Sequence, residues 1–190
     1  MADQLEQLQG TRLTQAADAD AEIQVIHAPP GHPVGKVGLW GLQIRFVVAH
    51  PPHTTYTAMT NIERYPEFIS KVKRATILRT TASGFVVDYE ERLWIFSEQS
   101  TQQWTLSPSE NSFVSQNVGE GDRTSWTQLQ VLPTPQPNFS VIQATLYVDT
   151  SFIPEFVLNL ALGKVAGEYP NHLRHMIATL AQEKHTRNAK

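Results

Sequence analysis

A chain of 190 residues, 41% apolar and 17% charged, is long enough to bury one substantial core and too apolar to stay disordered. Its net charge of -3 offers no general attraction to nucleic acid, and the lack of cysteine excludes disulfides, thiolate nucleophiles and cysteine-held zinc. No run of about 18 apolar residues exists, so no membrane-spanning segment is predicted and a cytoplasmic location is expected.

Residues 1–20 are polar, lack the apolar segment of a secretory signal, and read as a flexible leader. AEIQVIHA alternates at Ile23 and Val25, as a strand would, and PPGHPVGKVG is rich in turn residues. In GLQIRFVVAH, Leu42, Ile44, Phe46 and Val48 recur at every second position, which predicts a strand with one buried face. PPHTTYTAMTNIERYPEFISKV predicts two short helices: Pro51 and Pro52 suit a helix start, and Pro66 divides the pair. Five or six strands follow, in KRATILRTT, GFVVDYEERLWIF, TQQWTLSP, SFVSQNVGE, RTSWTQLQVLP and FSVIQATLYVD. The turn-rich links TASG, SPSEN, GEGD and PTPQPN between them favour antiparallel neighbours. From Pro154 to about Lys184 a helix is predicted, bent at Pro170, and residues 185–190 form a polar tail. Residues 21–184 are thus expected to make one α+β domain, in which the long helix covers an antiparallel sheet. A sheet curved around that helix leaves space between them, filled by side chains or by a ligand.

Alternation suggests which side chains face that space. In the GFVVDYEERLWIF strand one set is Phe85, Val87, Tyr89, Glu91, Leu93 and Ile95, and the more polar set is Val86, Asp88, Glu90, Arg92 and Trp94. With the first set inward, Tyr89 and Glu91 bring a hydroxyl and a carboxyl into an apolar space, as ligand anchors or acid–base groups. A bulge that swaps the phase, or a solvated strand end at Glu91, is the commoner arrangement. In the last strand Ile142, Ala144, Leu146 and Val148 form the apolar face, and the small Ala144 leaves room for a ligand or for Leu160. Trp104 and Trp126 are candidates to line a pocket, although tryptophans in such strands more often serve packing. Asn117 is a candidate polar contact, as are Gln116, Arg123 and Thr127, against the simpler reading of all four as solvent-facing. Phe156 and Leu160 lie on the inner side of the long helix.

Other chemistries find little support. His50 and His53, and His172 and His175 three residues apart on a helix, could share a metal, but no third ligand is identifiable; no metal is expected. No G-x-S-x-G elbow is present, and Gly35, Gly38 and Gly41 lack a phosphate-loop lysine; they suit turns and close backbone approach.

Pro154-Glu155-Phe156-Val157-Leu158-Asn159, followed by Tyr169-Pro170-Asn171-His172-Leu173-Arg174, resembles the C-terminal helix of START lipid-transfer domains. Tyr65-Pro66-Glu67-Phe68-Ile69 with Val72 resembles a segment after the first strand in the wider START/SRPBCC superfamily. That superfamily includes coenzyme Q-binding proteins and polyketide cyclase/dehydrases. The resemblance extends from about Leu39 to Leu180. It implies a helix-grip fold, with a curved antiparallel sheet wrapped around the C-terminal helix, and an apolar cavity between them that needs no cofactor.

Three functions fit. The first is a carrier or sensor of a hydrophobic molecule such as a lipid, sterol, isoprenoid quinone or polyketide, which needs only shape and burial and is compatible with transient membrane contact. The second is a polyketide aromatase/cyclase with Tyr89 or Glu91 as its acid–base group. The third is an interaction module with a filled interior. The carrier is the expected function.

Overall fold

Strand alternation in the sequence is realised as one antiparallel sheet. The computed structural model describes residues 21–30, 32, 39–93, 96–120, 124–149 and 155–188, with side chains except at 93, 96, 155–167 and 188. The strands are β1 (Glu22–His27), β2 (Trp40–Val48), β3 (Val72–Thr81), β4 (Gly84–Leu93), β5 (Phe96–Ser107), β6 (Ser112–Asn117), β7 (Ser125–Pro133) and β8 (Ser140–Val148). They lie in the order β1-β2-β8-β7-β6-β5-β4-β3, so β3 to β8 form a meander whose last strand returns to pair with β2. Short links of turn residues allow nothing but antiparallel pairing along that meander. Gly84 opens β4 with φ 156°, and a Cβ there would lie 2.0 Å from the Trp104 carbonyl oxygen, so only glycine fits the turn.

Between β2 and β3 lie α1 (Pro52–Met59), a 3-10 turn (Ile62–Arg64) and the single-turn α2 (Tyr65–Phe68). Pro66 does not divide two helices, as expected, but sits in the first turn of α2, where its missing N–H costs nothing; α1 has already ended at Thr60. Thr55 of α1 shares a 2.9 Å hydrogen bond with Ser140 of β8, both fully buried, which pins α1 to the end of the sheet. The chain ends in α3 (Glu155–Asn188), which runs on through Pro170. Among the described residues, no helix is long and apolar enough to cross a membrane. The architecture is a curved eight-stranded sheet gripping a long C-terminal helix, the helix-grip fold.

The register identifies the two faces of the sheet. Residues directly opposite one another share a face, so Phe46, Ile142 and Val131 form one row, and Ile44, Ala144, Leu129, Phe113 and Leu106 the next. These belong to the main core, which α3 closes with Leu173, Met176 and Ile177, each at most 1% exposed. The opposite, convex face carries the ion pairs of Arg74 with Asp88 (3.0 Å) and Glu90 (3.8 Å).

Candidate functional site

The concave face is not uniform. At one end Val48, Phe46, Ile142, Val131, Leu129 and Phe113 are sealed under α1 and the final turns of α3. Toward the other end the rows become more polar and more open. Leu42, Leu146, Thr127, Ser115, Trp104 and Phe85 lie in one cross-strand row, and Asn117, Gln102 and Val87 in the next. Ser100, Tyr89 and Ala75 follow, and then Glu98, Glu91 and Val72. Ala144, Leu146, Thr127, Asn117, Gln102 and Glu91 all keep part of their surface exposed.

The phase of β4 follows from its unbroken pairing with β5, from Gly84 opposite Thr105 to Leu93 opposite Phe96. The bulges that could have swapped faces lie in β3, at Val72/Arg74 and Ile77/Arg79. Tyr89 and Glu91 therefore point to the concave side, while Asp88 and Glu90 meet Arg74 outside. Trp104 anchors the wall: it stacks on Phe113 (4.5 Å between centroids) and Phe85 (5.7 Å), and meets Tyr65 of α2 edge-on at 6.2 Å. Its indole N–H donates to Gln102 Oε1 at 3.1 Å, and Gln102 Nε2 approaches Ser100 Oγ at 3.4 Å. A short polar track thus runs along β5 toward Tyr89.

Around Glu91 the structure assembles a cluster that periodicity alone does not show. Tyr169, on the last part of α3 before Pro170, packs against the core. Burial first, and then the charge of Glu91, push its phenol pKa up. Burial pushes Tyr89 up as well, reinforced by Glu91, Tyr169 and Tyr65. The Glu91 carboxyl is itself raised by burial and by Glu98, against the opposing pull of Lys71. Tyr65 is spoken for, because its hydroxyl donates to the Met59 carbonyl at 2.7 Å. Among the described residues, none hydrogen-bonds the Tyr89 or Tyr169 hydroxyl, and none hydrogen-bonds or ion-pairs with Glu91. Tyr89 is 8% exposed, so most of its ring is buried while its hydroxyl has no hydrogen-bond partner among the described residues. Chemically the site is an apolar wall with two phenols and a carboxyl whose pKa burial raises.

The predicted residues separate accordingly. Tyr89, Glu91, Trp104, Asn117, Ala144 and Leu146 share the concave face. Trp126 does not. It stands opposite Tyr147 and Gln116 on the convex face, one residue out of phase with Thr127, and packs there with Ala28, Tyr147 and the His32 ring. The side chains of Leu93, Phe156 and Leu160 lie outside the described residues, as do Arg123, Trp94 and Ile95. Gln116 is exposed on the convex face, whereas Thr127 is concave. Among the described residues no group of three metal-ligating side chains occurs, and His175 packs edge-on against Phe68 at 5.8 Å.

Tyr169, Ser100 and Gln102 were not anticipated. The signal for Ser100 and Gln102 was their alternation with Trp104. Tyr169 needed the sheet register and the helix placement together. A groove of about 220 Å³ elsewhere, between α1 and the end of α3, is bordered by Asn61, Arg64, Leu180, Glu183 and Arg187. Arg64 is engaged there by two hydrogen bonds to Glu183, at 3.0 and 3.2 Å, so the groove is a helix junction rather than a ligand cavity.

A family model described as polyketide cyclase/dehydrase and lipid transport matches residues 48–174. No curated protein sequence gives a significant match. Solved structures share the fold at low identity. Human STARD10 aligns with a TM-score of 0.68 at 17% identity, covering 88% of this chain and 73% of its own. A START superfamily protein from Mycobacterium smegmatis aligns at 0.64 and 16% identity, covering 74% and 98%. The Zhui aromatase/cyclase from Streptomyces sp. R1128 aligns at 0.54 and 14% identity, covering 78% and 87%.

Proposed function

Because the chain belongs to the polyketide cyclase/dehydrase and lipid transport family, we propose that it binds a hydrophobic small molecule between the open half of its sheet and α3, and carries or senses it. The observation that supports this reading is the gradient along the concave face. One end is close-packed, and the other presents partly exposed residues, Ala144, Leu146, Thr127, Asn117 and Gln102, beside the Tyr89 ring. A fold that needed only a core would seal both ends. Burial of apolar ligand surface at about 25 cal/mol per Å² supplies affinity without dedicated catalytic groups.

A specific feature favours a second reading. Burial raises the pKa values of Tyr89, Tyr169 and Glu91, and a carboxyl and phenols shifted that way are better suited to donate a proton to a developing enolate, as an aromatase/cyclase requires. Native mass spectrometry of freshly purified full chain tests the first reading. An apolar molecule that stays bound and is released unchanged by organic solvent supports a carrier. A bare chain that takes up no apolar probe contradicts ligand binding, and a probe polyketone released in altered form establishes the cyclase.

A further inference from the structure

The sheet has two open edges, β1 and β3, and they are built differently. β3 carries Lys73, Arg74 and Arg79, all exposed, and is broken by bulges at Val72/Arg74 and Ile77/Arg79. Basic side chains and bulges keep an edge strand from pairing with another chain. β1 has neither: it contains no lysine, arginine or proline and pairs with β2 in unbroken register. The Ala28 N–H donates to the Leu39 carbonyl at 2.9 Å, and these residues continue the register that sets His27 opposite Trp40. In an antiparallel pair alternate residues turn both backbone groups toward the partner. Glu22, Gln24 and Ile26 therefore face β2, while Ile23, Val25 and His27 face outward. Among the described residues, nothing hydrogen-bonds those outward groups. Ile23 stands opposite Ile44 and Val25 opposite Leu42, so both carry rows of the concave face to the edge, where they are 40% and 44% exposed.

We propose that β1 pairs with β1 of a second copy of this chain, antiparallel about a two-fold axis at Gln24, in a reversible dimer with a continuous sheet. An axis perpendicular to the sheet keeps both concave faces on one side. Centred at Gln24, it sets Ile23 opposite the partner's Val25 and His27 opposite the partner's Ala21. Every outward residue from Ala21 to His27 then meets an outward residue, and two apolar pairs form where Ile23 and Val25 are now exposed. Glu22 meets the partner's Ile26, so no like charges are opposed. The same operation at β3 would bring its basic residues together. With a net charge of -3 and no lysine or arginine on β1, the edge suits an uncharged strand better than an anionic membrane. Two six-residue strands bury less than the roughly 1,200 Å² of stable complexes, so the dimer is weak and depends on concentration.

Sedimentation velocity of the full chain tests this, with a dimer fraction expected to rise between about 10 and 500 µM. Val25→Pro removes an outward N–H but leaves the bonds to β2, and Val25→Lys sets a charge beside the partner's Ile23. Each is expected to weaken association at least about tenfold, with thermal unfolding verifying the fold. Leu78→Lys, at a 58% exposed position of β3, should leave association unchanged. The chain has no cysteine of its own, so mild oxidation reads the register. Gln24→Cys cross-links two copies, because residues on the axis have Cα atoms about 4.5 Å apart. Ile23→Cys does not, because its counterpart lies beyond the roughly 7 Å reach of a disulfide. A chain that stays monomeric throughout overturns the proposal, and slow exchange of the Ile23 and Val25 amides would then mean that another strand occupies the edge. Association that survives both Val25 variants, or is lost in Leu78→Lys, overturns it too, as does cross-linking of Ile23→Cys in preference to Gln24→Cys.

Discussion

Tyr169 of the terminal helix and Glu91 of β4 are 78 positions apart in sequence, yet the carboxyl's charge bears directly on the phenol and adds to the effect of burial. The relationship joins helix to sheet at the open end of the concave face. It places two ionisable groups where neither gains from ionising.

That placement has a measurable pH signature. Glu91 has a folded pKa above its unfolded value, so the folded chain holds this proton more tightly. Its contribution to stability therefore falls as pH rises from the ordinary carboxylate range through the folded pKa, and stays low above it. Glu91→Gln removes the penalty. Thermal melts of the variant are expected to lie above those of the parent at mildly alkaline pH and to converge with them near pH 4. A constant offset at all pH values would mean that Glu91 is not desolvated.

Tyr56 of α1 is 5% exposed, and its hydroxyl finds no partner among the described residues, in contrast to Tyr65 with its bond to Met59. An unsatisfied buried hydroxyl costs about 1–3 kcal/mol. Tyr56→Phe is therefore expected to leave stability unchanged or to raise it by about 1 kcal/mol, whereas Tyr65→Phe lowers it by about 1 kcal/mol. Urea unfolding of the two variants makes the comparison.

Gly84 is fixed by the Trp104 carbonyl, 2.0 Å from where a Cβ would stand. Gly84→Ala must shift β4 against β5 at the row of Thr105, next to the one that carries Phe85 and Trp104. A loss of about 1–3 kcal/mol is expected, read as a lower urea midpoint at unchanged m-value.

Thr127 lies on the concave face between Leu146 and Ser115, partly exposed in the open half. Thr127→Trp fills space that the ligand is proposed to use. It should abolish uptake of Nile red while changing stability by less than about 3 kcal/mol, the range for overpacking a close-packed site. Retained uptake would move the ligand away from this face.

Much of the fold was legible because its signals are local. Leu42, Ile44, Phe46 and Val48 repeat at period two, glycine and proline clusters mark the turns, and Pro52 opens α1. Half of the site was legible for the same reason: once β4 is in phase, Tyr89 and Glu91 must share a face with Trp104. Trp126 went astray because composition does not fix strand phase, and a second apolar cluster with Ala28 and Tyr147 on the convex face gave it an alternative place to pack. Tyr169 and the role of α3 above Glu91 were not legible, since they depend on where a distant helix crosses a curved sheet. That geometry is set by the whole core, to which Leu173, Met176 and Ile177 belong, rather than by any neighbouring residue.

The central claim is that the ligand sits over the open half of the concave face. Amide NMR spectra of the full chain titrated with methyl undecyl ketone test it most directly. Shifts concentrated at Tyr89, Glu91, Ser100, Gln102, Ser115 and Thr127 are predicted. Shifts confined to the convex cluster around Trp126 and Tyr147, or to the helix junction at Arg64 and Glu183, would contradict it.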